Sequence, residues 1–256
     1  NLMKPIYTTI PIELCLFALK NRKVNEVKLH IYLKHISSGH IKMNYNMYNV
    51  WAVDLELNPR TIRNCFEWLI KNEWITVNSK TNSYRLIGYG QISRKLGFRT
   101  RKAIIFEYDF NTFDNFCCAA AITYYIKRKN FTDKKRRSVS IMVGTSMNRN
   151  SSLKRFTQIP VAYLAECLNV SNRTAHIYKM KAKEFNFIEV KKQQPFLIDD
   201  NGDRISSDKL IVFKKVNPEK AGRMRTKNGK IVIIESDMIK SNLIMKSKRL
   251  KCNEKK

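Results

Sequence analysis

An α+β fold, mainly helical, is predicted by three observations. A stretch of the chain repeats once in a single ungapped register; both copies carry helical apolar stripes behind capping residues; and both close on short strand signals. Slid against itself until Ala52 meets Ala165, the chain aligns AVDLELNPRTIRNCFEWLIKNEWITV (52–77) with AECLNVSNRTAHIYKMKAKEFNFIEV (165–190). Leu55 then meets Leu168, Leu57 meets Val170, Arg60-Thr61 meets Arg173-Thr174, Trp74-Ile75 meets Phe187-Ile188, and Val77 meets Val190. Most of these pairs are apolar or small, as expected of positions that pack the same way twice.

In the first copy, 45–56 predicts a helix whose Val50 and Val53, with Leu57 just beyond, suit one buried face. Asn58 offers an N-cap and Pro59 fits the first helical position, where no amide hydrogen is needed. The helix that follows places Ile62, Cys65, Phe66 and Leu69 on one inner stripe and stops near Asn72. Residues 74–77 read as a strand, 78–82 as a polar turn, and 84–89 as the returning strand.

The second copy predicts a helix over 161–168, a cap at Ser171, and a helix with Ala175, Tyr178, Ala182 and Phe185 inward. Lys179 falls opposite Phe66, so either its stem snorkels or this helix is rotated. Strands over 187–190 and 210–214 flank a long connection in which Asn201-Gly202 marks a hairpin. Each copy also has a preceding helix, at 25–37 and at 113–127, the latter unusually apolar from Cys117 to Ile122 and from Tyr124 to Ile126.

A small residue early in one helix, an apolar turn residue, a polar cap and Arg-Thr opening the next helix resemble the winged helix-turn-helix. The resemblance implies two such domains in tandem with a basic linker and a basic C-terminal tail. The expected boundaries are 1–92 for the first domain, 93–110 for the linker and a strand leading on, 111–216 for the second domain, and 217–256 for the tail. A basic insert at 128–155, including Lys134-Lys135-Arg136-Arg137, is expected to be mobile until bound, and the last ten residues to form a disordered basic arm. A tandem pair also resembles, more loosely, the replication initiators of plasmids and phages that carry paired winged helices.

The resemblance makes the Arg-Thr helices recognition helices and the strand pairs wings. Candidate DNA-binding residues are Arg60, Thr61, Arg63 and Asn64 on the first helix and Arg173, Thr174, His176 and Lys179 on the second. Lys80 and Arg85 near the first wing, and Lys192 and Arg204 near the second, are expected on the phosphate backbone. Arg can hold guanine and Asn adenine through paired hydrogen bonds in the major groove.

Charge points the same way. Among 256 residues, 49 Lys and Arg face 21 Asp and Glu, a formal net of +28. An excess this large repels itself and calls for a polyanion, and neutralising phosphates releases counterions. The apolar fraction of 43% is ample for packed cores.

Several chemistries find no support. There is no GxxxxGK[ST], GxSxG or HExxH pattern. His30, His35 and His40 do not share a helical face, and Tyr124-Tyr125, a conceivable nicking nucleophile, reads better as a core pair. No catalytic residue, metal or cofactor is expected. No uncharged run approaches the ~18 residues of a membrane span, and the first twenty residues, with Glu13 and no small-residue cleavage site, are not expected to act as a signal peptide. Six scattered cysteines without CxxC spacing fit a reducing, cytoplasmic setting. The expected partner is double-stranded DNA, joined by replication proteins in an initiator, with the chain a monomer or dimer. A transcription regulator is the alternative, and a recombinase or nuclease with an unfamiliar active site is a third reading.

Overall fold

The computed structural model describes residues 7–42, 44, 46–78, 81, 83–98, 102–140, 156–193, 196–198, 204–205, 224–225, 231–233 and 236–246, with only the backbone course from 132 to 140 and from 196 to 233. The fold is α+β, with eight α-helices and small antiparallel sheets among these residues. Strand β1 (Tyr7–Pro11) and helix α1 (Ile12–Lys20) lead into α2 (Val24–Ile36). A first unit follows: β2 (His40–Lys42), α3 (Met47–Asp54), α4 (Pro59–Lys71), β3 (Ile75–Asn78) and β4 (Ser83–Leu86). Its sheet runs β2-β4-β3.

Next come α5 (Tyr89–Lys95), β5 (Lys102–Phe106), a 3-10 turn (Glu107–Asp109) and the long α6 (Phe113–Ser140). A second unit holds β6 (Thr157–Gln158), α7 (Val161–Leu168), α8 (Asn172–Glu184) and β7 (Ile188–Lys191). Strands β8 (Phe196–Ile198), β9 (Arg204–Ile205), β10 (Met224–Arg225) and β11 (Ile231–Ile233) form a separate sheet, ordered β10-β11-β8-β9. Strand β12 (Met238–Ser241) then returns to lie between β6 and β7.

The two units therefore repeat one plan: a helix, a short strand, two helices joined by a tight turn, and two strands of which the last sits centrally. The repetition extends to single backbone bonds. Glu56 and Asn169, paired in the repeat, both take left-handed conformations with φ of 52° and 55°, as do Glu73 and Asn186 at 59° and 55°. Leu57 N–H donates to the Ala52 carbonyl at 2.9 Å, and Val170 N–H to the Ala165 carbonyl at 3.0 Å. A non-glycine residue in this region costs about 1–2 kcal/mol, somewhat less for Asn.

A buried donor from the preceding helix steadies each turn. Lys28 of α2 gives its Nζ hydrogen to the Leu55 carbonyl at 2.7 Å, and Tyr125 of α6 gives its hydroxyl hydrogen to the Cys167 carbonyl at 2.9 Å. Burial lowers the Lys28 pKa, with Asp114 and Glu56 pulling the other way.

The caps and the inner stripe of α4 lie where the sequence places them. Asn58 Oδ1 accepts from Arg60 N–H at 2.9 Å, Ser171 Oγ accepts from Thr174 N–H at 3.1 Å, and Ile62, Cys65, Phe66 and Leu69 are buried. Other expectations are corrected. Val50 and Val53 are exposed, while Trp51, Ala52 and Leu55 face the core. The strand expected to reach Tyr89 ends at Leu86, and Tyr89 opens α5.

In the region 93–110, expected as a basic linker and a strand leading on, α5 runs to Lys95 and β5 is such a strand, paired along its whole length with β1. Residues 128–140 of the expected mobile insert continue α6, whereas 141–155 lie outside the described residues. The strand expected at 210–214 is also outside them, and the partner of β7 is β12. The expected tail thus contributes a core strand, with Ile239 buried, and Lys246 N–H reaches the Lys102 carbonyl at 2.9 Å. The final arm, 247–256, lies outside the described residues.

α1 packs chiefly on α6, which also carries α8 on another side. That explains the apolar run from Cys117 to Ile122, which is buried throughout. A helix covered on several sides needs no polar face.

His30 is buried in the first unit, edge-on to Trp74 and Tyr89 at 5.4 and 5.8 Å. Burial, helped by the Lys34 charge and opposed by the nearby Ile87 backbone, brings its pKa from 6.5 down to about 3, and neither ring nitrogen has a hydrogen-bond partner. The folded protein keeps this ring neutral while the unfolded chain protonates below its ordinary pKa, so stability is lost as pH falls through that window. Denaturant melts of wild type and His30→Phe should diverge as pH drops from ~6.5 to ~4.5, wild type losing about 2–3 kcal/mol more. Parallel pH profiles would place the imidazole in contact with solvent.

Candidate nucleic-acid interface

The outward face of α4 follows from its inner stripe. With Ile62, Cys65, Phe66 and Leu69 turned inward, Arg60, Arg63, Asn64, Glu67 and Lys71 are exposed and Thr61 is half-buried. The Arg63 guanidinium lies 5.6 Å from the centre of the Tyr48 ring, a cation–π contact that draws it toward α3.

On the neighbouring sheet, β4 pairs Arg85 with Thr76 on one side and His40 on the other. These three are exposed, as is Lys42 one row along, so the outer sheet face is basic. Sequence reasoning found Arg85 but not Lys42 or His40 as its neighbours, because β2 is only three residues long. Lys80 lies outside the described residues.

On α8 the exposed residues are Asn172, Arg173, His176, Ile177, Met180, Lys183 and Glu184. Thr174 is half-buried, and its hydroxyl is 2.9 Å from that of Ser171, so it belongs to the cap. In the repeat, Arg60, Asn64 and Glu67 correspond to Arg173, Ile177 and Met180. The same positions therefore look outward twice, with different chemistry.

Lys179 is removed from the candidate face. It is 4% exposed, and its Nζ lies 2.6 Å from Asp237 Oδ2, just before β12. It occupies the core position that Phe66 fills in α4, with a carboxylate supplied from the far end of the chain. Phe185, expected inward, is exposed, and Tyr178 is half-buried.

Beside β7, Lys191 and Lys240 lie 4.3 and 5.9 Å from the Phe156 ring centre, and Lys240 pairs with Glu189 at 2.8 Å. Lys192 is exposed just beyond. Arg204 falls on β9, paired with Ile198.

Tyr125 is buried with its hydroxyl hydrogen committed to Cys167, and burial raises its pKa. Burial likewise pushes the Cys65 and Cys118 thiols up to about 12, so both stay protonated. Among the described residues no group of three His, Cys, Asp or Glu is placed to hold a metal ion, and no helix is long and apolar enough to cross a membrane. A cleft of about 290 Å³ opens between α1, α2, α6 and α8, with Arg22, Asp114, Tyr178 and Lys181 among its lining residues.

Comparison with protein-family models, with curated proteins and with solved structures gave no match.

The Lys179–Asp237 pair yields a stability prediction. Removing one partner of a buried pair strands the other charge, so Lys179→Met should cost about 3 kcal/mol in denaturant melts. The double change Lys179→Met with Asp237→Leu should recover most of that loss. A Lys179→Met protein as stable as wild type would place this side chain in water.

Proposed function

We propose that this chain binds double-stranded DNA sequence-specifically through two winged helix-turn-helix modules in tandem. Helices α4 and α8 are the recognition helices, and the pairs β3–β4 and β7–β12 are the wings. The observation that carries this reading is the repeated plan, with an exposed arginine at the same outward position of both helices, Arg60 and Arg173, on a chain of formal charge +28. A helix laid in the major groove brings its outward side chains to the base edges.

On α4, Arg60 and Arg63 can hold guanine O6 and N7, and Asn64 can hold adenine N6 and N7. Thr61, in the first turn, stands near amide hydrogens that favour a phosphate oxygen. Arg85, His40 and Lys42 on one module, and Lys191 and Lys192 on the other, supply contacts to the backbone, which set register rather than sequence.

Within this class we favour a replication initiator of plasmid or phage type. Two unlike readers that share a core can cover two adjacent groove segments with one copy of the chain, holding an origin for other proteins to open. A buried Tyr125 whose hydroxyl hydrogen goes to the Cys167 carbonyl supports binding over catalysis by the Tyr124-Tyr125 pair.

Arg60→Ala and Arg173→Ala should each weaken specific binding by about 1–3 kcal/mol and relax base preference within one half-site. Titrations against a selected duplex and against scrambled DNA measure this. Unchanged specific affinity in both variants would remove α4 and α8 from the interface. Selection of fragments from the protein's own replicon separates the roles: sites clustered beside its gene fit initiation, and sites dispersed at promoters fit transcription control.

A further inference from the structure

We infer that the two recognition helices read chemically different half-sites, and that Ile177, with Met180, reads thymine methyl groups; the inference rests on the duplex-binding reading above. Ile177 and Met180 occupy the outward positions that Asn64 and Glu67 hold on α4, and they are 44% and 46% exposed. The inward stripe of α8 is already filled by Ala175, Lys179 and Ala182. These two apolar side chains therefore do not complete the core.

Their surroundings name the occupant. Arg173 stands one turn before Ile177, exposed His176 lies beside it, and Lys183 and Glu184 lie about one turn beyond Met180. Two apolar side chains flanked by Arg173 and Lys183 match a surface that is anionic at its edges and carries small apolar groups on its floor. In the major groove only thymine presents such a group, its C5 methyl. A protein partner fits less well, because two half-exposed side chains fall far short of the ~800 Å² per partner of a stable interface.

Spacing agrees. Three residues along a helix advance about 4.5 Å, against ~3.4 Å between successive bases of one strand. Ile177 and Met180 thus reach neighbouring base pairs. The α4 half-site is read by hydrogen bonds through Arg60, Arg63 and Asn64, and the α8 half-site is read in part by apolar contact. The bound site is then asymmetric, with a thymine-bearing step under α8.

The experiment uses the full chain and a duplex selected from a random pool. Arg60→Ala and Arg173→Ala assign the half-sites by where base preference relaxes. Deoxyuridine then replaces thymine in each half-site, deleting only the methyl group. Replacement under α8 should weaken binding about fourfold per contacted methyl, the worth of burying one such group, and replacement under α4 should change nothing. Ile177→Asn should abolish the difference between thymine and uracil at the base pair under Ile177 while leaving that under Met180, and Ile177→Val should keep most of both.

Equal affinity for thymine and uracil duplexes, with specific binding intact, overturns this inference and leaves the DNA-binding reading standing. A change in self-association on Ile177→Asn with unaltered duplex affinity overturns it in favour of a second copy of the chain. Absence of specific duplex binding in the wild type overturns both.

Discussion

The packing of α1 against α6 is the contact on which the architecture depends. α1 comes before the first unit and α6 leads the second, so this seam joins parts of the chain about a hundred residues apart. Cys15 of α1 meets Cys117 of α6 there, and both helices bury small residues, Ala18 on one and Ala121 on the other, beside larger ones such as Leu14 and Phe116. Small residues at a helix contact let the axes approach closely. The pairing of β1 with β5, and the hydrogen bond from Ile104 N–H to the Ile244 carbonyl at 2.8 Å, extend the join to the C-terminal stretch. The spacing of the proposed readers is thereby set by a shared core and not by a linker.

Each unit repeats one backbone solution with different side chains. The turn between its paired helices takes a left-handed residue, Glu56 or Asn169, and so sets the angle at which the second helix leaves. Lys28 in one case and Tyr125 in the other satisfy a carbonyl at that turn, and the cap is Asn58 or Ser171. Identical geometry held by unlike groups marks the geometry as what the fold needs. Charge shows the same economy: where α4 fills a core position with Phe66, α8 uses Lys179 and recruits Asp237 from beyond the inserted sheet.

How much of this is legible in the sequence depends on how far each element's partners lie along the chain. α4 is legible almost residue for residue, since its cap, its proline and its apolar stripe are local and one face meets water. α7 and the caps of α8 are legible for the same reason. α1 is not, because it is covered on more than one side and so shows no helical period. The exposed Val50 and Val53 mislead, since their three-residue spacing imitates an inner face while Trp51, Ala52 and Leu55 do the packing. β12 escapes detection because the central strand of the second unit's sheet arrives only after the separate four-stranded sheet. Lys179 reads as a surface cation because its counter-charge is 58 residues away. At the candidate site, Arg60, Arg63, Asn64, Arg85, Arg173, His176 and Lys192 are exposed, while Lys42 has no local pattern to announce it.

The proposed mechanism joins a sequence-blind attraction, from a charge of +28, to sequence-reading faces held at fixed spacing. In that proposal, phosphate contacts would supply most of the affinity and its dependence on salt, and the outward faces of α4 and α8 would supply the discrimination. The most direct measurement is a hydroxyl-radical footprint on a selected duplex, with the number of chains per duplex determined in the same sample. One chain protecting two separate groove segments, one segment weakened by Arg60→Ala and the other by Arg173→Ala, is the expected result. A single protected segment that both substitutions weaken alike, or no protection at all, would contradict two readers joined by one core.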